Sequence, residues 1–124
     1  MEDVDKNKNK HYDLEDRTLE YGKRIIKMAR SFKYDIVNNN LINQVVRSGT
    51  SLGANYREAN ETETKKDFLF RMRICRKEAK ETIYWLYLII EANPELDLRM
   101  RPLIRETEEL LKIFASIVEK SREK

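Results

Sequence analysis

The chain of 124 residues contains one histidine, one cysteine, two prolines and three glycines, and each shortage closes off a class of function. His11 stands alone in a charged N-terminal stretch. It supplies neither the Glu-x-x-His pairs of a di-iron bundle nor a helix-borne zinc site. The same shortage removes any Ser–His or Cys–His nucleophile relay. Cys75 has no second cysteine to pair with, which fits a reducing, cytoplasmic compartment. Its place in an apolar row makes it a small buried residue rather than a reactive thiol. No glycine-rich loop lies between a strand pattern and a helix pattern, so no phosphate cradle of that kind is present. The longest nearly apolar stretch, residues 83–90, is far shorter than a membrane span. Residues 1–10 contain no apolar run, so no signal peptide is expected. No metal, no cofactor and no catalytic residue is therefore assigned, and the chain reads as a non-enzyme.

What remains is a mixture of 38% charged and 40% apolar residues, rich in Glu, Lys, Arg, Leu and Ile. Such a composition makes long amphipathic helices. Length favours one domain with a single core. Residues 1–11, charged and Asn-rich, read as a disordered tail, and residues 12–122 as one helical domain. The first helix should start near Tyr12 or Asp13, where acids complement the helix dipole, and bury Leu14, Thr18, Tyr21, Ile25, Ala29 and Phe32. A break is expected at residues 33–35. The second helix should run from Ile36 to Ala59, with an uncertain first turn at Asn38-Asn39-Asn40. Thr64 and Asp67 make a shortened capping box before a third helix over residues 65–92, which would span about 40 Å. Asn93-Pro94 ends it, because the residue before proline is pushed out of the helical region. The fourth helix starts near Glu95 or Asp97 and carries Met100, Ile104, Thr107, Leu111, Phe114 and Val118. Pro102 predicts an irregular start or a kink there. The connections are short, so an antiparallel up-down-up-down four-helix bundle is the expected all-α fold.

The second helix holds the most informative stretch, residues 47–59. Leu41, Val45, Leu52, Tyr56 and Ala59 form an apolar row with Gly49 and Gly53 along its edge. Two helical glycines cost roughly 1 kcal/mol each relative to alanine, which points to close approach of another helix backbone. Beside them runs a polar row of Ser48, Ser51, Asn55 and Glu58. With Glu78 and Glu81 of the third helix it reads as a hydrogen-bonded seam, its carboxylates pairing with Arg47 or Arg57 to set register. The rival is a small-ligand site on Ser51, Asn55 and Glu58. The two readings differ in whether those side chains line a cavity or are consumed between helices.

The third helix carries two further candidate surfaces. Between residues 65 and 80 there are seven basic residues against two acids. Lys66, Arg73, Lys77 and Lys80 fall on one side with Phe70, Tyr84 and Tyr87 between and beyond them. Basic residues interleaved with aromatics can track phosphates and stack bases; a solvated face beside a subunit contact has the same pattern. Five more bases and no acid occupy residues 23–33. The net charge of +3 does not itself demand a polyanion. Farther along, Ile74, Ile83, Trp85, Tyr87, Leu88 and Ile90 nearly encircle the helix. Such a helix is buried on more than one side, either deep in the bundle or at a subunit interface centred on Tyr84, Trp85, Tyr87 and Leu88.

Arg47, Ser48, Ser51, Leu52, Asn55, Glu58 and Ala59, followed by Asp67-Phe68 and by Glu78, Glu81, Thr82, Trp85 and Leu86, resemble the bacterial "four helix bundle protein" family. That family was founded on proteins encoded by intervening sequences within large-subunit ribosomal RNA genes. The likeness covers residues 41–118, with Tyr56 standing where an aliphatic is more usual. It implies a left-handed four-helix bundle assembling into a ring, usually a pentamer. It is distantly similar to the accessory subunit of diversity-generating retroelements, a basic pentameric barrel that binds a reverse transcriptase and nucleic acid. The resemblance supplies no reaction. It adds a homo-oligomer, RNA or DNA, and a protein partner to the expectations. The function read from all of this is a non-enzymatic oligomeric accessory or scaffold protein that meets nucleic acid or a ribonucleoprotein through basic helix faces. A protein-interaction scaffold without nucleic acid is the alternative.

Overall fold

The structure, a computed structural model, describes residues 2–122, with side chains from Leu14 onward. These residues form four α-helices and no strand: α1 (Glu2–Arg30), α2 (Ile36–Asn60), α3 (Lys65–Ala92) and α4 (Asp97–Arg122). A 3-10 turn at Pro94–Leu96 leads into α4.

Local chemistry sets most of these boundaries. The Asp35 carboxylate accepts from the Asn38 N–H at 2.7 Å and caps α2, so the Asn-rich first turn is helical. Thr64 Oγ1 accepts from the Asp67 N–H at 3.1 Å and caps α3, satisfying one of the donors a helix start leaves over. Asn93 leaves helical geometry ahead of Pro94 and ends α3. Pro102 does not give the last helix an irregular start: α4 is continuous from Asp97 through Pro102, and the 3-10 turn ahead of it begins at Pro94. That proline removes the bond to the Leu98 carbonyl, and Leu98 is exposed to water. One boundary differs from expectation: the α1 backbone is helical from Glu2 rather than from Tyr12 or Asp13. Residues 2–13 hold neither proline nor glycine, the two residues that most oppose a helix. The division between residues 1–11 and 12–122 falls before the first described side chain.

Contacts between the helices fix their directions. Gly53 and Gly49 of α2 lie against Thr18 and Ile25 of α1. Asn55 of α2 meets Arg71 of α3, and Arg47 meets Glu78. Arg17 of α1 meets Glu106 of α4. The α1–α2 and α2–α3 contacts run in opposite chain directions, so those neighbours are antiparallel, and the last turns of α1 lie beside the start of α4. The core is built from Tyr21, Leu52, Met72, Leu86, Leu110 and Phe114 with their neighbours, all essentially inaccessible to solvent. Among the described residues, every buried side-chain nitrogen or oxygen has a hydrogen-bond partner.

The two α2 glycines have the packing reason their cost implied, with one refinement. A Cβ on Gly53 would lie 3.1 Å from Thr18 Oγ1 and 3.4 Å from the Thr18 carbonyl oxygen, so here the α1 backbone does come close. A Cβ on Gly49 would lie 2.9 Å from Ile25 Cγ1. What fills that space is a β-branched side chain, not a backbone.

Candidate functional site

The polar row of α2 faces α3. Ser51 Oγ has one hydrogen to share between Glu78 Oε1 at 3.1 Å and the Ser48 carbonyl at 2.8 Å. Arg47 donates through Nη1 to the same Glu78 oxygen at 3.0 Å and through Nη2 to Glu81. Ser48 is fully buried, and the Thr82 hydroxyl lies 2.8 Å from its Oγ while donating to the Glu78 carbonyl at 2.7 Å. Asn55 donates from Nδ2 to the Ser51 carbonyl at 3.0 Å and accepts on Oδ1 from Arg71 Nη1 at 3.1 Å. Trp85 Nε1 donates to Glu81 Oε1 at 3.3 Å. Burial opposes ionisation of Glu81, yet bonds from Trp85 and Arg47 hold its carboxyl below the ordinary value.

Ser48, Ser51, Asn55, Glu78 and Glu81 are thus brought into one interhelical network, and their polar atoms are spent on each other. Glu58 is not part of it, although it keeps the spacing of the row. Its side chain is exposed, and among the described residues its carboxylate has no hydrogen-bond or ion-pair partner. Arg57 also points elsewhere, to Glu15 of α1 at 3.5 Å. Glu58 therefore does not share the hydrogen bonds that tie Ser51 and Asn55 to α3. Cys75 sits behind the seam, fully buried, its Sγ 3.7 Å from the Leu52 carbonyl. Burial pushes the thiol up to about 12, which leaves almost no thiolate to act as a nucleophile. Among the described residues, no group of three His, Cys, Asp or Glu side chains is placed to hold a metal. No helix there is long and apolar enough to cross a membrane.

The outer side of α3 is different. Lys66, Arg73, Lys77 and Lys80 are all exposed, and among the described residues none of them has a hydrogen-bond or ion-pair partner. Lys77 and Lys80 line an open groove with Arg76, Glu81, Tyr84 and Leu111; Lys66 and Arg73 lie outside it. Phe70, Tyr84 and Tyr87 are 60%, 57% and 43% exposed, so the basic and aromatic groups share one surface. The four apolar residues read as an interface divide. Tyr84 and Tyr87 face solvent, whereas Trp85 is half-buried against the core and Leu88 is also half-buried. The Tyr84 and Trp85 rings meet edge to face at 5.1 Å, and the Arg101 guanidinium lies 5.6 Å from the Tyr87 ring centre.

Several residues that organise the bundle carried no clear signal in the sequence. Asn38 and Asn93 are buried and bonded to each other. Arg17 grips Glu106 with two bonds of 2.8 Å and reaches Glu109 at 3.0 Å. Asn-Asn-Asn looks like a turn signal, and an Arg on one helix does not name its carboxylate on another.

No curated protein matches the chain. A crystal structure of a protein of unknown function from the S23 ribosomal protein family of Bacteroides thetaiotaomicron VPI-5482, at 1.70 Å resolution, is 32% identical. The match covers 85% of this chain and 97% of that one, with a TM-score of 0.76. Residues 10–116, which take in the Ser48–Glu78–Arg47 seam and most of all four helices, match the model of the family described as 23S rRNA-intervening sequence protein. By that match, over nearly its whole length, the chain belongs to the 23S rRNA-intervening sequence protein family.

Proposed function

We propose that this protein is a non-catalytic, oligomeric accessory protein of the cytoplasm that associates with nucleic acid or a ribonucleoprotein through the outer face of α3. The observation that carries the reading is the row of Lys66, Arg73, Lys77 and Lys80, four exposed cations with no carboxylate partner among the described residues. Exposed aromatic rings lie beside them. Cations free of internal partners can replace the counterions of a phosphate backbone, which makes binding insensitive to sequence and steeply dependent on salt. A charge of +3 per chain is modest, but an assembly repeats the row and adds avidity.

Support for self-association comes from two unlike apolar faces. Leu19 and Ile26 of α1 are each 45% exposed, and Tyr84 and Tyr87 of α3 are open as well. Leu19 and Ile26 border the groove between α1 and α2, whereas Tyr84 borders the groove between α3 and α4, so the faces lie on different sides of the bundle. Unlike faces on different sides join copies head to tail, and such contacts close into rings when the rotation permits. A pentamer is the size we favour. Light scattering at micromolar concentration should give a mass well above 14.9 kDa; a monomer mass would end the oligomer reading. Titration against structured RNA and duplex DNA over a salt series tests the rest. Changing Lys77 and Lys80 together to Glu should weaken binding and flatten the salt slope without altering assembly. No binding by the unmodified protein at low salt would leave the second reading, a protein-interaction scaffold. That alternative is favoured by the exposed Tyr34, Ile36, Val37 and Leu98 at one end of the bundle.

A further inference from the structure

The α1–α4 seam is built differently at its two ends. At one end Arg17 is neutralised by Glu106 and Glu109. At the other, Arg24 and Lys27 of α1 and Arg99 of α4 border a cavity of about 240 Å³ that no carboxylate lines. Among the described residues these three cations form no ion pair. Arg24 acts on Glu106 only through space, and the bond from Arg17 is the larger reason that carboxyl is held low. Phe32, Met28 and Met100 give the cavity an apolar wall. One seam thus holds an arginine with both of its carboxylates and, farther along, three cations facing an apolar hollow.

We infer that this cavity binds a single nucleotide, with the phosphate on Arg24, Lys27 and Arg99 and the base against Phe32. Three cations exceed what one carboxylate needs, whereas a phosphate monoester carries about −1.5 to −2 charges at pH 7. Charge-assisted bonds to phosphate oxygens are the strong ones. An aromatic ring flanked by thioethers accepts the face of a base, because every base has a π-face and stacking tolerates any sequence. The volume suits one base rather than a stacked pair. The occupant is either a free mononucleotide or an unpaired nucleotide of a strand, and the assignment does not depend on the α3 face.

Calorimetry on the full chain with adenosine monophosphate, ribose 5-phosphate and a single-stranded RNA trinucleotide tests it. Adenosine monophosphate should bind at least about tenfold more tightly than ribose 5-phosphate, a difference of about 1.4 kcal/mol. Arg24→Gln with Arg99→Gln should lower its affinity at least about tenfold with an unchanged melting curve, since both side chains are exposed. Phe32→Ala should bring adenosine monophosphate down to the level of ribose 5-phosphate. The double variant Lys77→Glu, Lys80→Glu should leave the nucleotide affinity as it was, which separates this cavity from the α3 row. Tighter binding of the trinucleotide identifies a strand as the source, and equal binding a free nucleotide. The inference is overturned if neither ligand binds at millimolar concentration, or if the Arg24/Arg99 variant binds as well as the unmodified protein. Binding to anionic phospholipid vesicles that this variant loses, without any nucleotide binding, would overturn it in favour of a lipid headgroup.

Discussion

Asn38 and Asn93, fifty-five positions apart, exchange amide hydrogen bonds: Asn93 Nδ2 donates to Asn38 Oδ1 at 2.8 Å, and Asn38 Nδ2 donates to Asn93 Oδ1 at 3.3 Å. Both are buried. Asn38 Nδ2 also reaches the Lys33 carbonyl at 3.2 Å, and Asn93 Nδ2 reaches the Ile89 carbonyl at 3.0 Å. The pair therefore ties the first turn of α2 and the loop before it to the end of α3. A buried amide that loses its partner keeps its desolvation cost, about 1–3 kcal/mol. Either Asn38→Leu or Asn93→Leu should lower stability by roughly that amount in urea unfolding. The double variant should lose less than the sum, with a coupling of about 0.5–3 kcal/mol. Strict additivity would show that the two amides do not depend on each other.

Two of the three glycines, Gly22 and Gly49, should respond in opposite directions to alanine. Around Gly22 an added Cβ meets nothing within 4 Å, so Gly22→Ala gains helix propensity alone, about 0.5–1 kcal/mol. At Gly49 the new methyl collides with the buried Ile25 side chain. Overpacking of this kind costs about 1–3 kcal/mol and should outweigh the propensity gain. Thermal melts of the two variants should bracket the parent.

Replacing Asn55 by Leu distinguishes a structural seam from a ligand site. The change leaves Arg71 Nη1 without its acceptor, and it removes the bond to the Ser51 carbonyl. Stability should fall by about 1–3 kcal/mol. A melting curve identical to the parent's would mean that the seam does not hold α2 to α3.

Acid should loosen the α1–α4 seam. The bond from Arg17 holds the Glu106 carboxyl below its ordinary value of 4.5. A carboxyl depressed in the folded chain contributes stability that is fully present above the unfolded value and lost as pH falls through the folded one. Unfolding midpoints should therefore be flat on this account down to about pH 4.5 and drop below it. Glu106→Gln should cost about 1 kcal/mol at neutral pH, as expected for a partly exposed pair, and shallow the acid limb. An acid limb as steep as the parent's would place the titrating group elsewhere.

The helices themselves were legible in the chain because their signals are local. Thr64 with Asp67, Asn93 with Pro94, and rows spaced three and four apart act within a turn or two, so the α3 boundaries follow from the local sequence. The same periodicity placed Ser48, Ser51 and Asn55 on one side of α2, and Lys66, Arg73, Lys77 and Lys80 on one side of α3. It could not say which side met which. Glu58 obeys the spacing of the polar row yet faces solvent. Of the carboxylates near Arg47 in pattern, Glu78 and Glu81 are the two it reaches. Those outcomes depend on how two helices slide and rotate against each other. Here Ile25 filling the notch at Gly49 and Thr18 closing on Gly53 contribute to that register. The Asn38–Asn93 pair and the meeting of Arg24, Lys27 and Arg99 arise the same way. Each joins residues on different helices, and only packing of the whole core brings such positions together.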